Sequence, residues 1–332
     1  MNVASKNKVE TFYSRGKLLL SGEYLVLKGA KALALPLKFG QTLEVEKRDE
    51  GNGIIWESYM YNTIWFTAQF NNQLEILETN KPEIAERLQK ILKFSSQMNP
   101  DFLNHGVSFK VKSMSNFNFG WGIGSSSTLI SNIAYWANVD AYKLNEQVFG
   151  GSGFDIACSR NNTPFLYEWK DEKRTISPGE FDPPFKQELI FVYLGQKQNT
   201  QRSIKKFNES ATYNEDDLQK ISMISEQLLN VQHKREFMNL LLEHEIIISK
   251  VLGSQRIQEE RFSDFDGVLK SLGSWGGDFM LAVSEKSNEY IIEYFKQKEL
   301  TTFSVMMRLF FKWRKRKHIK KWLAGKHLRI LL

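Results

Sequence analysis

The sequence predicts an α+β protein of two domains, and three observations carry that expectation. Short alternating apolar segments fill the first seventy residues. A helical stripe follows, and then a strand, a glycine loop and a helix come in succession between residues 105 and 137. The second half is richer in helical patterns, set around two short apolar strands. With 332 residues and 42% hydrophobic content, the chain has enough apolar sequence for two cores.

Taken in order, Val9 to Tyr13, Tyr24 to Leu27, Ala32 to Leu37 and Gln41 to Lys47 read as short strands divided by turn residues, and Ile54 to Trp56 and Thr63 to Thr67 continue the texture. Lys81 to Phe94 sets Ile84, Leu88, Ile91 and Leu92 on one helical stripe. Pro82 falls in its first turn, where a missing N–H costs nothing. His105 to Lys112 alternates as a strand and delivers the chain to the glycine loop, behind which Leu129 to Ala137 is helical. A polar, proline-bearing stretch from Lys170 to Lys186 marks the boundary between domains at 1–180 and 181–332. Beyond it Leu189 to Leu194 reads as a strand. Ile204 to Phe207, Leu218 to Leu229, Arg235 to Leu252 and Phe262 to Leu269 read as largely helical, Phe279 to Val283 as a strand and Tyr290 to Phe295 as a helix.

The most informative segment is Gly120-Trp121-Gly122-Ile123-Gly124-Ser125-Ser126-Ser127-Thr128. A glycine loop at a helix start is an anion site, because free backbone N–H groups and the positive end of the helix dipole face whatever sits there. Alternate glycines let the backbone close around phosphate oxygens, and the hydroxyls add donors or a magnesium ligand. A glycine-rich turn capped by serine is the simpler alternative. No G-x-x-x-x-G-K-[ST] pattern is present, so this is not a conventional P-loop. Two further clusters share the texture. Gly150-Gly151-Ser152-Gly153-Phe154-Asp155 places a carboxylate among small neighbours, as a catalytic group or as a helix cap. Lys270 to Ala282 runs through Gly273, Gly276 and Gly277 into an apolar strand, as a loop over a ligand or a tight hairpin.

Charge is local. Residues 312–332 hold nine Lys or Arg and no Asp or Glu, so the formal +7 leaves a body near −2. That balance argues against a broad nucleic-acid surface. Trp313 and Trp322 in the basic tail allow peripheral contact with an anionic membrane, although a solvated terminal helix explains the same residues. No run of 18 apolar residues exists, and no transmembrane contact is expected. The single cysteine, Cys158, fits a reducing, cytoplasmic setting and reads as a packed thiol. The histidines, His105, His233, His244, His318 and His327, form no H-E-x-x-H helix, which disfavours a metal hydrolase.

Three motifs come in order along the chain: Gly16-Lys17-Leu18-Leu19-Leu20-Ser21-Gly22-Glu23-Tyr24, Gly122-Ile123-Gly124-Ser125-Ser126, and Lys270 to Ala282. On these the chain resembles the GHMP kinases, the superfamily of galactokinase, homoserine kinase, mevalonate kinase and phosphomevalonate kinase. The resemblance runs from Val9 to at least Leu300. It implies an N-terminal domain like ribosomal protein S5 domain 2, with a left-handed β-α-β unit, and a ferredoxin-like C-terminal domain, with ATP and acceptor bound in the cleft between them. Gly151-Ser152-Gly153-Phe154-Asp155-Ile156-Ala157 and Gly273-Ser274-Trp275-Gly276-Gly277-Asp278 look most similar to the phosphomevalonate kinase branch.

The resemblance implies ATP and Mg2+ as cofactors and a small-molecule acceptor, with the protein acting as a monomer or homodimer. Phosphomevalonate is the first acceptor it implies; mevalonate is an alternative, and so is a homologue that binds ligand without catalysis. Catalysis falls to Asp155 and Lys17, since an alcohol needs a carboxylate to orient it and take its proton, and opposite charges within a few Å favour both ionised forms. Nucleotide phosphates fall to Gly122, Ile123, Gly124, Ser125, Ser126, Ser127, Gly273, Ser274, Gly276 and Gly277, with Ser126 also on the metal. Lys17, Glu23, Ser152, Lys197 and Thr200 are assigned to the acceptor. Departures are visible too. The position eleven before Asp155, a glutamate metal ligand in mevalonate kinases, is Leu144, with Glu146 nearby, and Trp275 stands where glycine is usual.

Overall fold

The computed structural model describes residues 9–48, 51–103, 107–195, 200–277 and 279–305. Within these residues the chain forms two compact units. The first comprises residues 9–17, 39–119 and 123–162, and the second residues 18–38, 120–122 and 163–305. Two long strands, β1 (Val9–Leu19) and β2 (Ala32–Arg48), contribute residues to both.

In the first unit the end of β2 joins β3 (Gly53–Met60), β4 (Thr63–Phe70), β5 (Ile76–Thr79) and β6 (Ser108–Ser115) in the order β5-β4-β3-β6-β2. All neighbours are antiparallel except β3 and β6, which run parallel. The period-2 alternation turns Leu43, Val45, Ile54, Trp56, Phe66, Ala68 and Val111 into a common core. That core is closed by α1 (Pro82–Met98), α2 (Ser125–Ala137), α3 (Ala141–Val148) and α4 (Phe154–Arg160). Ala85, Leu88, Ile91 and Leu92 form the buried stripe of α1, with Pro82 at its start as expected, and Ile130, Ile133, Ala134 and Ala137 form that of α2.

In the second unit Ala32–Ala34 of β2 pair with β7 (Phe165–Lys170), which forms a hairpin with β8 (Lys173–Pro178). A separate antiparallel sheet has the order β10-β11-β9-β12, made of β9 (Ile190–Tyr193), β10 (Val268–Leu272), β11 (Phe279–Val283) and β12 (Phe303–Val305). Its helices are α5 (Thr200–Ser210), α6 (Glu215–Asn230), α7 (Lys234–Leu252), α8 (Ile257–Arg261) and α9 (Asn288–Gln297). Ile190, Val192, Leu269, Met280 and Ala282 pack with Ile257, Ile291 and Phe295 in one core.

Three sequence expectations are corrected. Tyr24 to Leu27 is no strand: positive-φ glycines at Gly22 and Gly29 fold the segment into a tight turn and a 3-10 helix, Leu25–Lys28. Ala32 to Leu37 and Gln41 to Lys47 are one continuous strand. Gly40 permits this because a Cβ there would lie 2.3 Å from the Ser14 carbonyl oxygen, so only glycine lets the two backbones approach. Phe262 to Leu269 is not helical. Phe262 ends α8, and Val268 already pairs with Val283, so cross-strand bonding overrides the local apolar spacing. The strand expected at His105 to Lys112 spans Ser108–Ser115, and His105 lies outside the described residues.

Candidate active site

The first unit brings Lys17 and Asp155 together with the part of the glycine loop that runs from Ile123 into α2. The Lys17 backbone N–H, near the end of β1, donates to the Ile123 carbonyl at 2.8 Å, which ties the strand to the loop. Helix α2 then begins with Gly124 as its N-cap at φ 101°, and no side chain caps it. The first amides of a 13-residue helix are therefore left without an intrahelical partner, at the positive end of its dipole. Glycine is required here, since a Cβ would lie 2.9 Å from both Lys17 Cγ and Ser127 Oγ. The serines separate by role. Ser126 is exposed and Ser125 half-buried, whereas Ser127 is buried and donates to the Gly124 carbonyl at 3.0 Å. Ile123 is buried beneath the loop, and Gly122 adopts φ 66°. The alternative of a serine N-cap is thus not what forms.

A buried polar network fixes α2. Thr128 donates to Gln41 Oε1 at 2.8 Å, Asn132 to the Gln41 carbonyl at 2.8 Å, and Ser14 to Asn132 Oδ1 at 2.7 Å. Each of these groups is buried, so losing one partner would strand the other.

Asp155 lies in the first turn of α4 behind Gly153, the N-cap at φ 85°, and does not itself cap the helix. Its Oδ1 lies 3.0 Å from Lys17 Nζ, with the two side chains 35% and 15% exposed, so the pair is held yet open on one side. The ammonium also lies 5.1 Å from the centre of the Phe154 ring. One turn on, Cys158 is fully buried, and burial, then the Asp155 charge, push its thiol pKa well up. This is the packed thiol expected from its neighbours.

The second unit holds a buried ionic cluster that the sequence did not reveal as such. Lys270 Nζ lies 2.8 Å from Glu23 Oε1 and 3.4 Å from Glu245 Oε1 and donates to the Ser271 carbonyl, while Glu23 Oε2 lies 3.1 Å from His244 Nε2. Burial raises the Glu23 carboxyl, but Lys270 and then His244 outweigh it and hold it at about 2. Burial, then Lys270, lowers His244 to about 4, and burial raises Glu245 to about 7. A neutral imidazole agrees with the Gly22 backbone N–H donating to His244 Nε2 at 2.9 Å. The available signal was in α7, where His244 and Glu245 interrupt the buried stripe of Phe237, Leu241 and Ile248. Glu23, assigned to the acceptor from sequence, is 5% exposed within this cluster.

The last glycine loop leaves β10 through Gly273 at φ 79°, and the Gly277 N–H donates to the buried Ser274 across a turn with Gly276 at φ 71°. Ser152 is buried just before α4. Leu144 is fully buried in the core and Glu146 exposed on α3, so the offset position supplies no oxygen ligand. Among the described residues no group of three His, Cys, Asp or Glu side chains gathers to hold a metal. Lys197, the Thr200 side chain, Asp278 and the basic tail at 312–332 lie outside the described residues. No helix among the described residues is long and apolar enough to cross a membrane.

No family model and no curated protein matches the sequence. Solved structures do. The mevalonate kinase of Methanococcus jannaschii aligns with a TM-score of 0.62 at 17% identity, covering 89% of this chain and 96% of its own. The phosphomevalonate kinase of Streptococcus pneumoniae, in complex with phosphomevalonate and AMPPNP, gives 0.63 at 16%, covering 89% and 99%. The chain has the fold of the GHMP kinases. Lactococcus lactis galactokinase, complexed with galactose, aligns as well, at 0.62 and 12% identity over 91% and 94%. The GHMP fold is therefore common ground for acceptors as different as a sugar and a phosphorylated acid, and the likeness does not single out the phosphomevalonate or mevalonate branch.

Proposed function

We propose that this protein is an ATP-dependent kinase of a small acidic metabolite. The observation that carries the reading is the Lys17–Asp155 pair at 3.0 Å, set against an uncapped helix N-terminus whose N-cap must be glycine. Phosphoryl transfer needs a cradle for anionic oxygens, a positive charge near the transferred group and a carboxylate to orient the acceptor. Gly122, Ile123, Gly124 and the amides of Ser125, Ser126 and Ser127 supply the cradle, Lys17 the charge and Asp155 the carboxylate. The exposed Ser126 hydroxyl fits a magnesium ion held mainly by phosphate oxygens, and bound Mg2+ would neutralise charge on the bridged phosphates. Gly273, Ser274, Gly276 and Gly277 are assigned to the nucleotide, and Lys17, Glu23, Ser152, Lys197 and Thr200 to the acceptor. The reading assigns an S5 domain 2-like domain to 1–180 and a ferredoxin-like domain to 181–332, acting in the cytoplasm.

Phosphomevalonate is the first acceptor proposed, from the motif resemblance and from the ligand of the S. pneumoniae structure. The alcohol of mevalonate is the second, favoured by Asp155, because an alcohol gains from a base and a phosphate oxygen does not. The test is acceptor-dependent ADP release with ATP and Mg2+ across mevalonate, phosphomevalonate, homoserine and sugars. Asp155→Asn and Lys17→Met should each lower turnover at least about a hundredfold while leaving the circular dichroism spectrum unchanged. Nucleotide binding without turnover on any acceptor would mean a binding homologue, and unchanged turnover in both variants would remove the pair from the chemistry.

A further inference from the structure

Tyr24 occupies a backbone conformation that a side chain disfavours. At φ 62° and ψ −50° it is the centre of a γ-turn in which the Leu25 N–H donates to the Glu23 carbonyl at 2.7 Å. Turns of this hand are rare and strained, and glycine would relieve the strain. A bulky tyrosine stands there instead, and its surroundings hold it in place. On one side Glu23 is held by Lys270, and the Gly22 N–H is held by His244 Nε2, which accepts from it. On the other, the Val26 N–H donates back to the Gly22 carbonyl at 3.0 Å, and Leu25 and Val26 are buried.

The side chain that results is aimed at the last glycine loop. The Tyr24 phenol oxygen accepts from the Trp275 backbone N–H at 2.9 Å, and Ser203 of α5 hydrogen bonds the same phenol. The Tyr24 ring packs 5.4 Å from that of Phe207 on the same helix. Trp275 is the second residue of the Ser274–Gly277 turn, and its indole N–H is tied to the Gln255 carbonyl at 3.0 Å. The tryptophan at a position where the resemblance leads one to expect glycine is thus anchored at both its backbone and its ring. A loop of glycines has many conformations to lose on meeting a ligand, and a hydrogen bond that restricts it beforehand reduces that loss.

We propose that Tyr24 is a positioning residue for the nucleotide: through the Trp275 amide it holds the Ser274–Gly277 turn in its binding conformation. The inference rests on the reading above that this turn faces the nucleotide. It adds a tie between the strained turn after β1 and that loop.

Hydrogen exchange of ligand-free protein, read on peptides spanning 273–277, tests the tie without relying on activity. Titration with a fluorescent N-methylanthraniloyl ATP tests its consequence. Tyr24→Phe keeps the ring on Phe207 and removes only the acceptor. Tyr213→Phe, whose ring stacks on the far neighbour Phe207 at 6.1 Å, serves as control. Tyr24→Phe should speed exchange in this segment about fivefold, the value of one net hydrogen bond, and weaken nucleotide binding by about the same factor, with the control unchanged. Unchanged exchange, or faster exchange with nucleotide affinity within about twofold of wild type, overturns the proposal. If exchange quickens but the wild-type protein binds no nucleotide, the tie stands, the nucleotide reading fails, and the positioning role falls with it.

Discussion

Replacing Gly124 with alanine should damage this protein more than the loss of one glycine ordinarily does. At φ 101° the position lies beyond the left-handed region that L-residues tolerate, which costs about 1–2 kcal/mol. The new Cβ would then meet Lys17 Cγ and Ser127 Oγ at 2.9 Å each and the Lys17 amide nitrogen at 3.5 Å. Lys17 cannot retreat, because its N–H is bonded to Ile123, and Ser127 is buried. Overpacking of this kind adds about 1–2 kcal/mol, for a total of about 2–4 kcal/mol. Gly150→Ala is the reference: its φ of 73° is close to the left-handed well and its Cβ would find nothing within 4 Å, so about 1 kcal/mol is expected. Chemical denaturation of the two variants measures the difference, and nucleotide affinity should fall only for Gly124→Ala. If the two lose equal stability, within about 0.5 kcal/mol, the close approach of Lys17 to the loop is refuted.

Ser126→Ala should leave stability within about 0.5 kcal/mol of wild type, since the hydroxyl is exposed, yet lower Mg2+-dependent turnover at least about tenfold; unaltered metal dependence would take Ser126 off the metal. The buried cluster sets the acid response. Glu245, raised to about 7 from 4.5, stabilises the fold fully below 4.5, and that contribution is lost as pH rises towards 7. His244, lowered to about 4 from 6.5, contributes stability that is lost as pH falls from 6.5 towards 4. These slopes oppose each other between 4.5 and 6.5, leaving the cluster's share nearly flat. Below 4.5, Glu23, held at about 2, loses up to about 3 kcal/mol as it takes up a proton. Thermal melts of wild type and Glu23→Gln against pH measure this, with a steeper acid loss expected for wild type; parallel curves below 4.5 would refute the assignment.

Local chemistry wrote much of this protein directly into its sequence. Pro82 marks the start of α1, the 3.6-residue stripe of Ile84, Leu88, Ile91 and Leu92 marks its buried face, and glycines followed by serines mark the start of α2, because each signal is complete within a few residues. The family resemblance then implied Lys17 and Asp155 as a pair, 138 positions apart in the sequence, and the structure sets them 3.0 Å apart. What the sequence lacked were pairings that depend on distant chain. The run from Phe262 to Leu269 has helical spacing, and only the bonding of Val268–Leu272 to Phe279–Val283 makes its end a strand. Tyr24 to Leu27 looks extended until the surrounding glycines and the buried Leu25 and Val26 force a turn. Glu23 is assigned to the acceptor from its motif, with no sign in its own segment of a buried cation partner. It becomes the partner of Lys270, 247 residues away, because a buried carboxylate must find a cation, and only the folded chain decides which one lies within reach.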